Sequence, residues 1–172
     1  MKSFALLLLL LLLLTPLAGQ KIHEICAPCH NSAAEDFLEH PHAGKDLSCD
    51  ACHGKSDSHV QAAGNMPPDR VTGPLEQPAL CGTCHPTQRK GFQASRHWKL
   101  IEARTRQRSP ACTTCHGAHD LRSAESMEAQ CKRCHESLPG ACLAKPASST
   151  AKVGCANCHD KHSLQRQPGP AR

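Results

Sequence analysis

Apolar residues are distributed unevenly along the 172-residue chain. Ala5 to Leu14 is almost pure leucine, with Lys2 before it and Thr15-Pro-Leu-Ala-Gly19 after it. A positive start, an apolar run of about 7–15 residues and a small-residue site define a secretory signal, and cleavage is expected after Ala18 or Gly19. A membrane-spanning helix needs about 20 apolar residues. Pro16 interrupts this run, so the mature chain is expected to carry no transmembrane segment. Beyond the leader, apolar positions come singly or in short groups. Their spacing predicts helices over Ser32–Glu39, Thr87–Gln107 and Ser123–Glu136. The middle stretch has the fewest breakers, with Phe92, Leu100 and Ile101 as its candidate inner positions. Strand signal is almost absent. The Pro- and Gly-dense stretch Gly64–Pro78 predicts an extended loop, and Gln165–Arg172 a frayed tail.

Composition sharpens this picture. After the leader the only aromatic residues are Phe37, Phe92 and Trp98, and tyrosine is absent. A chain of this size normally buries a large apolar area on folding, at roughly 25 cal/mol per Å². The short aliphatic runs cannot supply it, so something other than apolar side chains must fill the interior. The cysteines say what. Twelve of thirteen lie in six C-x-x-C-H motifs: Cys26/Cys29/His30, Cys49/Cys52/His53, Cys81/Cys84/His85, Cys112/Cys115/His116, Cys131/Cys134/His135 and Cys155/Cys158/His159. C-x-x-C-H is the attachment signature of c-type haem: two thioethers fix the macrocycle and the next histidine is one axial ligand to iron. Six covalent haems are therefore expected. The fold class is mainly irregular, with short α-helices wrapped around a covalently attached haem chain and little or no β-structure. The apo-chain should be largely unfolded, as in other domains whose folding depends on a bound metal group. Export fits, because an oxidising compartment would otherwise turn such thiol pairs into disulfides.

The motifs fall into three pairs, beginning at cysteines 26/49, 81/112 and 131/155. A partial internal repeat supports the division. Phe37-Leu-Glu-His-Pro-His42 precedes Cys49-Asp-Ala-Cys-His-Gly54, as Phe92-Gln-Ala-Ser-Arg-His97 precedes Cys112-Thr-Thr-Cys-His-Gly117. A further histidine follows each, His59 and His119, and His162 follows the last motif. The expected layout is a signal peptide over 1–19, a dihaem module over 20–63, a linker over 64–80, dihaem modules over 81–122 and 123–164, and a tail over 165–172. The net charge of +5 is offset by the haem propionates, so no nucleic-acid partner is expected. The run Lys99, Arg104, Arg106 and Arg108 reads as a solvated face or as propionate partners.

Seven histidines lie outside the motifs: His23, His40, His42, His59, His97, His119 and His162. Met66 and Met127 are the only mature-chain methionines, so histidine–methionine ligation, which raises the potential, cannot be general. Bis-histidine ligation can. The expected second ligands are His42, His59, His97, His119, His162 and His23, with His40 as alternate. His119 lies three residues after His116, too close to bind the opposite face of the same ring, so it should serve a neighbouring haem; His162 likewise. No histidine lies between His135 and Cys155, where Cys142 is the only soft ligand. One haem must therefore recruit His23 or His40, take Met127 or Cys142, or stay open. An unpaired thiol is the leading reading of Cys142.

Cys49-Asp-Ala-Cys-His-Gly-Lys-Ser-Asp-Ser-His59-Val resembles a segment of the periplasmic decahaem cytochromes that sit inside outer-membrane porins or serve extracellular dimethyl sulfoxide respiration. Phe92-x-x-Ser-x-His97 with Cys112-Thr-Thr-Cys-His-Gly-Ala-His119, and Cys155-Ala-Asn-Cys-His-Asp-Lys-His162, resemble the same repeat. The resemblance implies that His42, His59, His97, His119 and His162 are distal ligands. It also suggests a porin as partner. The chain departs from that pattern in having six motifs rather than ten, in Lys55 and Asp57, and in the histidine missing from its last repeat.

The leading function is a periplasmic electron carrier working between other redox proteins: a quinol-oxidising donor on one side, multihaem cytochromes or a terminal reductase on the other. The iron carries the redox chemistry and the protein supplies position and ligands. The alternatives are a reductase built on one open haem, and a subunit of a cytochrome filament or complex. Zinc held by paired C-x-x-C groups is disfavoured by the histidine that follows every motif.

Overall fold

In the computed structural model the residues described are 24–103, 109–136 and 154–167. The leader, His23, the arginines at 104, 106 and 108, Cys142 and the last five residues of the expected tail lie outside them. Among the described residues there are short helices, turns and a single β-bridge pairing His159 with Arg166, but no strand. The helices are α1 (Asn31–Leu38), α2 (Cys49–His53), α3 (Asp57–Gln61), α4 (Gln77–Cys81), α5 (Pro86–Gln93), α6 (Arg96–Glu102), α7 (Cys112–His116) and α8 (Ala124–Lys132). None is long and apolar enough to cross a membrane.

The first compact unit runs to Arg70. Helix α1 buries Ala34 and Phe37, three apart and so on one face. The His40 ring lies parallel to Phe37, with centroids 5.8 Å apart. After α2 the chain turns at Gly54, whose φ of +73° suits glycine. The stretch expected to be one extended loop divides in two. Its first part folds back on α2 and α3: Asp69 accepts from the Ser56 amide at 2.8 Å and donates its own amide to Ser56 Oγ, and the Arg70 amide donates to the His53 carbonyl at 3.1 Å. Its last part is helical, because Pro78 near the start of α4 is pre-set for helix and gives up no needed donor.

The second unit begins at Val71 and holds the remaining four motifs. The single helix expected over Thr87–Gln107 is two helices, α5 and α6. Ser95 is the cause. Its backbone is extended (ψ 160°), its fully buried hydroxyl accepts from the Trp98 amide at 3.1 Å, and it restarts the chain as an N-cap. Phe92 and Trp98 meet edge to face across the break at 6.3 Å. Gln77 ties α4 to α7: its buried side-chain carbonyl accepts from both the amide and the hydroxyl of Thr113, at 3.1 and 3.2 Å. Arg122 donates from its guanidinium to the carbonyls of Thr113 and Thr114 and from its amide to that of His116, capping the end of α7. Glu128 of α8 accepts from the Cys155 amide at 2.7 Å, which holds the last motif against α8.

The apolar core of the described residues is only Ala34, Phe37, Ile101 and Ala111. That matches the deficit read from composition: side chains alone enclose almost nothing.

Candidate haem sites

Each motif is one helical turn. In four of them the histidine amide donates to the carbonyl of the first cysteine: His30 to Cys26 (3.0 Å), His85 to Cys81, His135 to Cys131 and His159 to Cys155 (2.9 Å each). The other two motifs coincide with α2 and α7. Residues i, i+3 and i+4 of a helical turn share one face. Both thiols and the imidazole are thus offered to the same side, as attachment to one macrocycle requires. The glycines after α2 and α7 end these turns in a conformation other residues adopt poorly. At Gly117 (φ +82°) a Cβ would also land on the Asp120 carbonyl oxygen.

The first cysteines of successive motifs lie together. Cys26 with Cys49, Cys81 with Cys112, and Cys131 with Cys155 lie close enough to shift one another's thiols. Burial, followed by the neighbouring Cys26, pushes the Cys49 thiol up to about 11. Cys81 is drawn down to about 7 by the hydrogen bond from Cys112, whose own thiol that bond pushes far up. Cys115 also lies close enough to raise Cys131, after burial and against the Cys155 hydrogen bond. The motifs of the second unit thus run on without a break from Cys81 to Cys155. None of the twelve motif cysteines is joined in a disulfide. Among the described residues no three His, Cys, Asp or Glu side chains converge on a metal held by side chains alone.

The first cysteine of every motif is half-buried, but the second is exposed in five of the six: Cys29, Cys52, Cys84, Cys134 and Cys158. Cys115 is the exception. It is half-buried, with Arg122 close beside it, and burial raises its thiol.

Three motif histidines face a histidine from elsewhere in the chain. His30 and His59 have ring centroids 5.9 Å apart, His97 and His135 6.1 Å, and His116 and His162 6.0 Å. Two imidazoles bound to opposite sides of one metal, at about 2 Å per bond and about 1.1 Å from nitrogen to ring centre, have centroids about 6.2 Å apart. The observed pairs fit an iron between them. Burial, and then the partner ring, lowers His97 and His116 below the ordinary histidine range; His85 adds to the effect at His116. The neutral ring so favoured is the ligating form.

Backbone carbonyls orient several of these rings. His53 Nδ1 lies 3.2 Å from the Arg70 carbonyl, His59 Nδ1 2.6 Å from that of Met66, and His159 Nδ1 2.8 Å from that of Leu164. A proton held on Nδ1 leaves Nε2 with its lone pair for a metal. His40 is arranged the other way. Its Nδ1 accepts from the His42 amide at 3.2 Å, which leaves the proton of the neutral ring on Nε2.

The partners cross the expected modules. His97, on α6, faces His135 of the third motif pair. His162 faces His116 of the second, because the Asp160 carboxylate accepts from the His162 and Ser163 amides and folds the loop back. His162 packs against α5, where a Cβ on Gly91 would come within 3.1 Å of its Cβ. His135, in the third pair where one haem was expected to lack a nearby histidine, thus faces His97. His42 and His119 are half-buried, on the turns after α1 and α7.

Single-turn thiol and imidazole sets, with further imidazoles at metal-bridging distance, define a multihaem c-type cytochrome. Residues 41–136 match the family model of cytochrome c3, and the chain belongs to that family. It is thus an electron-transfer cytochrome whose cofactor is covalently attached c-type haem. Comparison with curated proteins and with solved structures gives no match. The carbonyls of Met66, Arg70 and Leu164 were not legible in the sequence as ring-orienting groups, since any residue type supplies a carbonyl.

Proposed function

We propose that the chain is an exported hexahaem electron carrier of the periplasm, with most of its irons ligated by two histidines. The three imidazole pairs 5.9–6.1 Å apart carry this reading. When bound, the haems supply one-electron exchange between ferric and ferrous iron. The six cysteine pairs would anchor them, and His30, His53, His85, His116, His135 and His159 would each hold one iron. His59, His97 and His162 would complete three of these sites. His42 is the preferred partner within the first unit and His119 within the second. His53, His59 and His159 keep Nε2 available through their carbonyl partners. Bis-histidine ligation favours low potentials, which suits transfer from a quinol-oxidising donor to other multihaem cytochromes or a terminal reductase. The leucine-rich leader supports export, and a porin is a further candidate partner by resemblance.

Pyridine haemochrome assay with intact mass tests the reading. The expected result is six covalent haems on a chain shortened at Ala18 or Gly19. Fewer than six would overturn it.

A further inference from the structure

Two arginines far apart in the chain clasp a cysteine-bearing turn in the same way. In the first unit the Arg70 amide donates to the His53 carbonyl at 3.1 Å, and its guanidinium donates to the Cys52 carbonyl at 3.5 Å. In the second unit the Arg122 amide donates to the His116 carbonyl, also at 3.1 Å, and its guanidinium donates to the carbonyls of Thr113, at 3.3 Å, and Thr114. Both turns end in a glycine of nearly equal conformation, Gly54 (φ 73°, ψ 178°) and Gly117 (φ 82°, ψ 175°). Spacing hides the likeness, because Arg70 follows His53 by 17 residues and Arg122 follows His116 by six. Two different chain routes bring a guanidinium to the same place, the carbonyls of the turn that carries the second cysteine and the histidine. Arg122 also lies near enough to Cys115 to act on its sulfur.

A cap on free carbonyls needs only a donor. A guanidinium brings a fixed charge as well, since it stays protonated at any working pH. Ferric iron carries one more positive charge than ferrous, so a nearby cation favours the ferrous form. In a medium of effective dielectric about 20, a unit charge about 10 Å from a redox centre shifts its equilibrium about tenfold. Arg122 is half-buried and Arg70 exposed, so salt screens Arg70 more.

Resting on the reading that every motif carries a haem, we infer that Arg70 and Arg122 tune reduction potentials: each raises that of the haem on its own turn, Cys49/Cys52/His53 or Cys112/Cys115/His116, and Arg122 does so by more. The electron that reduces each iron comes from the redox partner, and the arginine gains and loses no proton.

Potentiometric titration of the holoprotein, followed by haem absorbance, tests this with R122Q, R122K and R70Q. At a fixed potential R122Q should raise the ferric-to-ferrous ratio of about one-sixth of the haem roughly tenfold, a downward shift of about 59 mV for one electron. R122K keeps the charge and should titrate like the unchanged protein. R70Q should move another sixth in the same direction but by less, and its shift should shrink as salt is raised. It also stands as the test if R122Q does not fold. Mass spectrometry of the Cys49–His53 and Cys112–His116 peptides locates haem in the same samples. Peptides without haem would overturn the reading of those motifs and this inference with it. Peptides with haem, but potentials unchanged in R122Q and R70Q, would overturn this inference alone and leave the arginines as caps. Equal shifts in R122Q and R122K would also overturn it, since the effect would then come from lost capping geometry rather than from charge.

Discussion

His97→Gly tests the pairing of imidazoles directly. His97 sits one residue after the start of α6, half-buried, with its ring 6.1 Å from that of His135 and inclined to it by 39°. The substitution removes one ring while Ser95 keeps the helix start. His162 is already matched to His116 at 6.0 Å. The fifth iron should therefore lose its sixth ligand. One site of six is about one-sixth of the haem, with the haem count unchanged at six. Electron paramagnetic resonance of the oxidised protein reads this as a new high-spin component of that size. Millimolar imidazole should fill the hole and restore the low-spin signal, a rescue that general misfolding would not show. An unchanged spectrum would refute the reasoning, since His135 would then have another partner.

Three further outcomes are expected. Gly117→Ala should cost about 1–3 kcal/mol in denaturant unfolding of the holoprotein, because φ +82° with ψ 175° is nearly confined to glycine. Gly44→Ala, where a Cβ meets nothing within 4 Å, should be near neutral, and equal effects would refute the argument. Gln77→Ala leaves the Thr113 amide and hydroxyl without their acceptor and should cost about 1–3 kcal/mol; it should also speed hydrogen exchange at the Thr113 amide, and unchanged exchange would count against that bond. His42→Ala should convert about one-sixth of the haem to high spin whereas His40→Ala should not, and the reverse pattern in magnetic resonance would exchange their roles.

Much of the site was legible without coordinates because haem attachment is written locally. Two cysteines and a histidine at i, i+3 and i+4 need only one helical turn to share a face, and a turn forms from neighbouring residues. The twelve cysteines and six motif histidines could therefore be named from spacing alone. Their unequal cover could not. Spacing treats the two cysteines of a motif alike, whereas Cys81 meets Cys112 and Cys84 stays exposed. The absence of strands among the described residues, and their meagre apolar core, followed from composition. The glycines at 54 and 117 marked the ends of two such turns, where positive φ excludes most side chains.

Partner choice was not local. Spacing grouped the motifs in pairs, and the first cysteines do meet in those pairs. It gave no reason for His97 to cross to His135, or His162 to His116. Those meetings depend on Ser95 breaking one expected helix into two, on Asp160 folding the last loop back, and on Gln77 and Glu128 fastening separate turns together. Each acts between residues far apart in the chain, or through a backbone conformation that several residue types could adopt. By itself the sequence determined which chemistry this protein carries and nearly balanced its ligands. Only the tertiary structure decided which ring stands opposite which, because opposition across a metal depends on distance in space rather than along the chain.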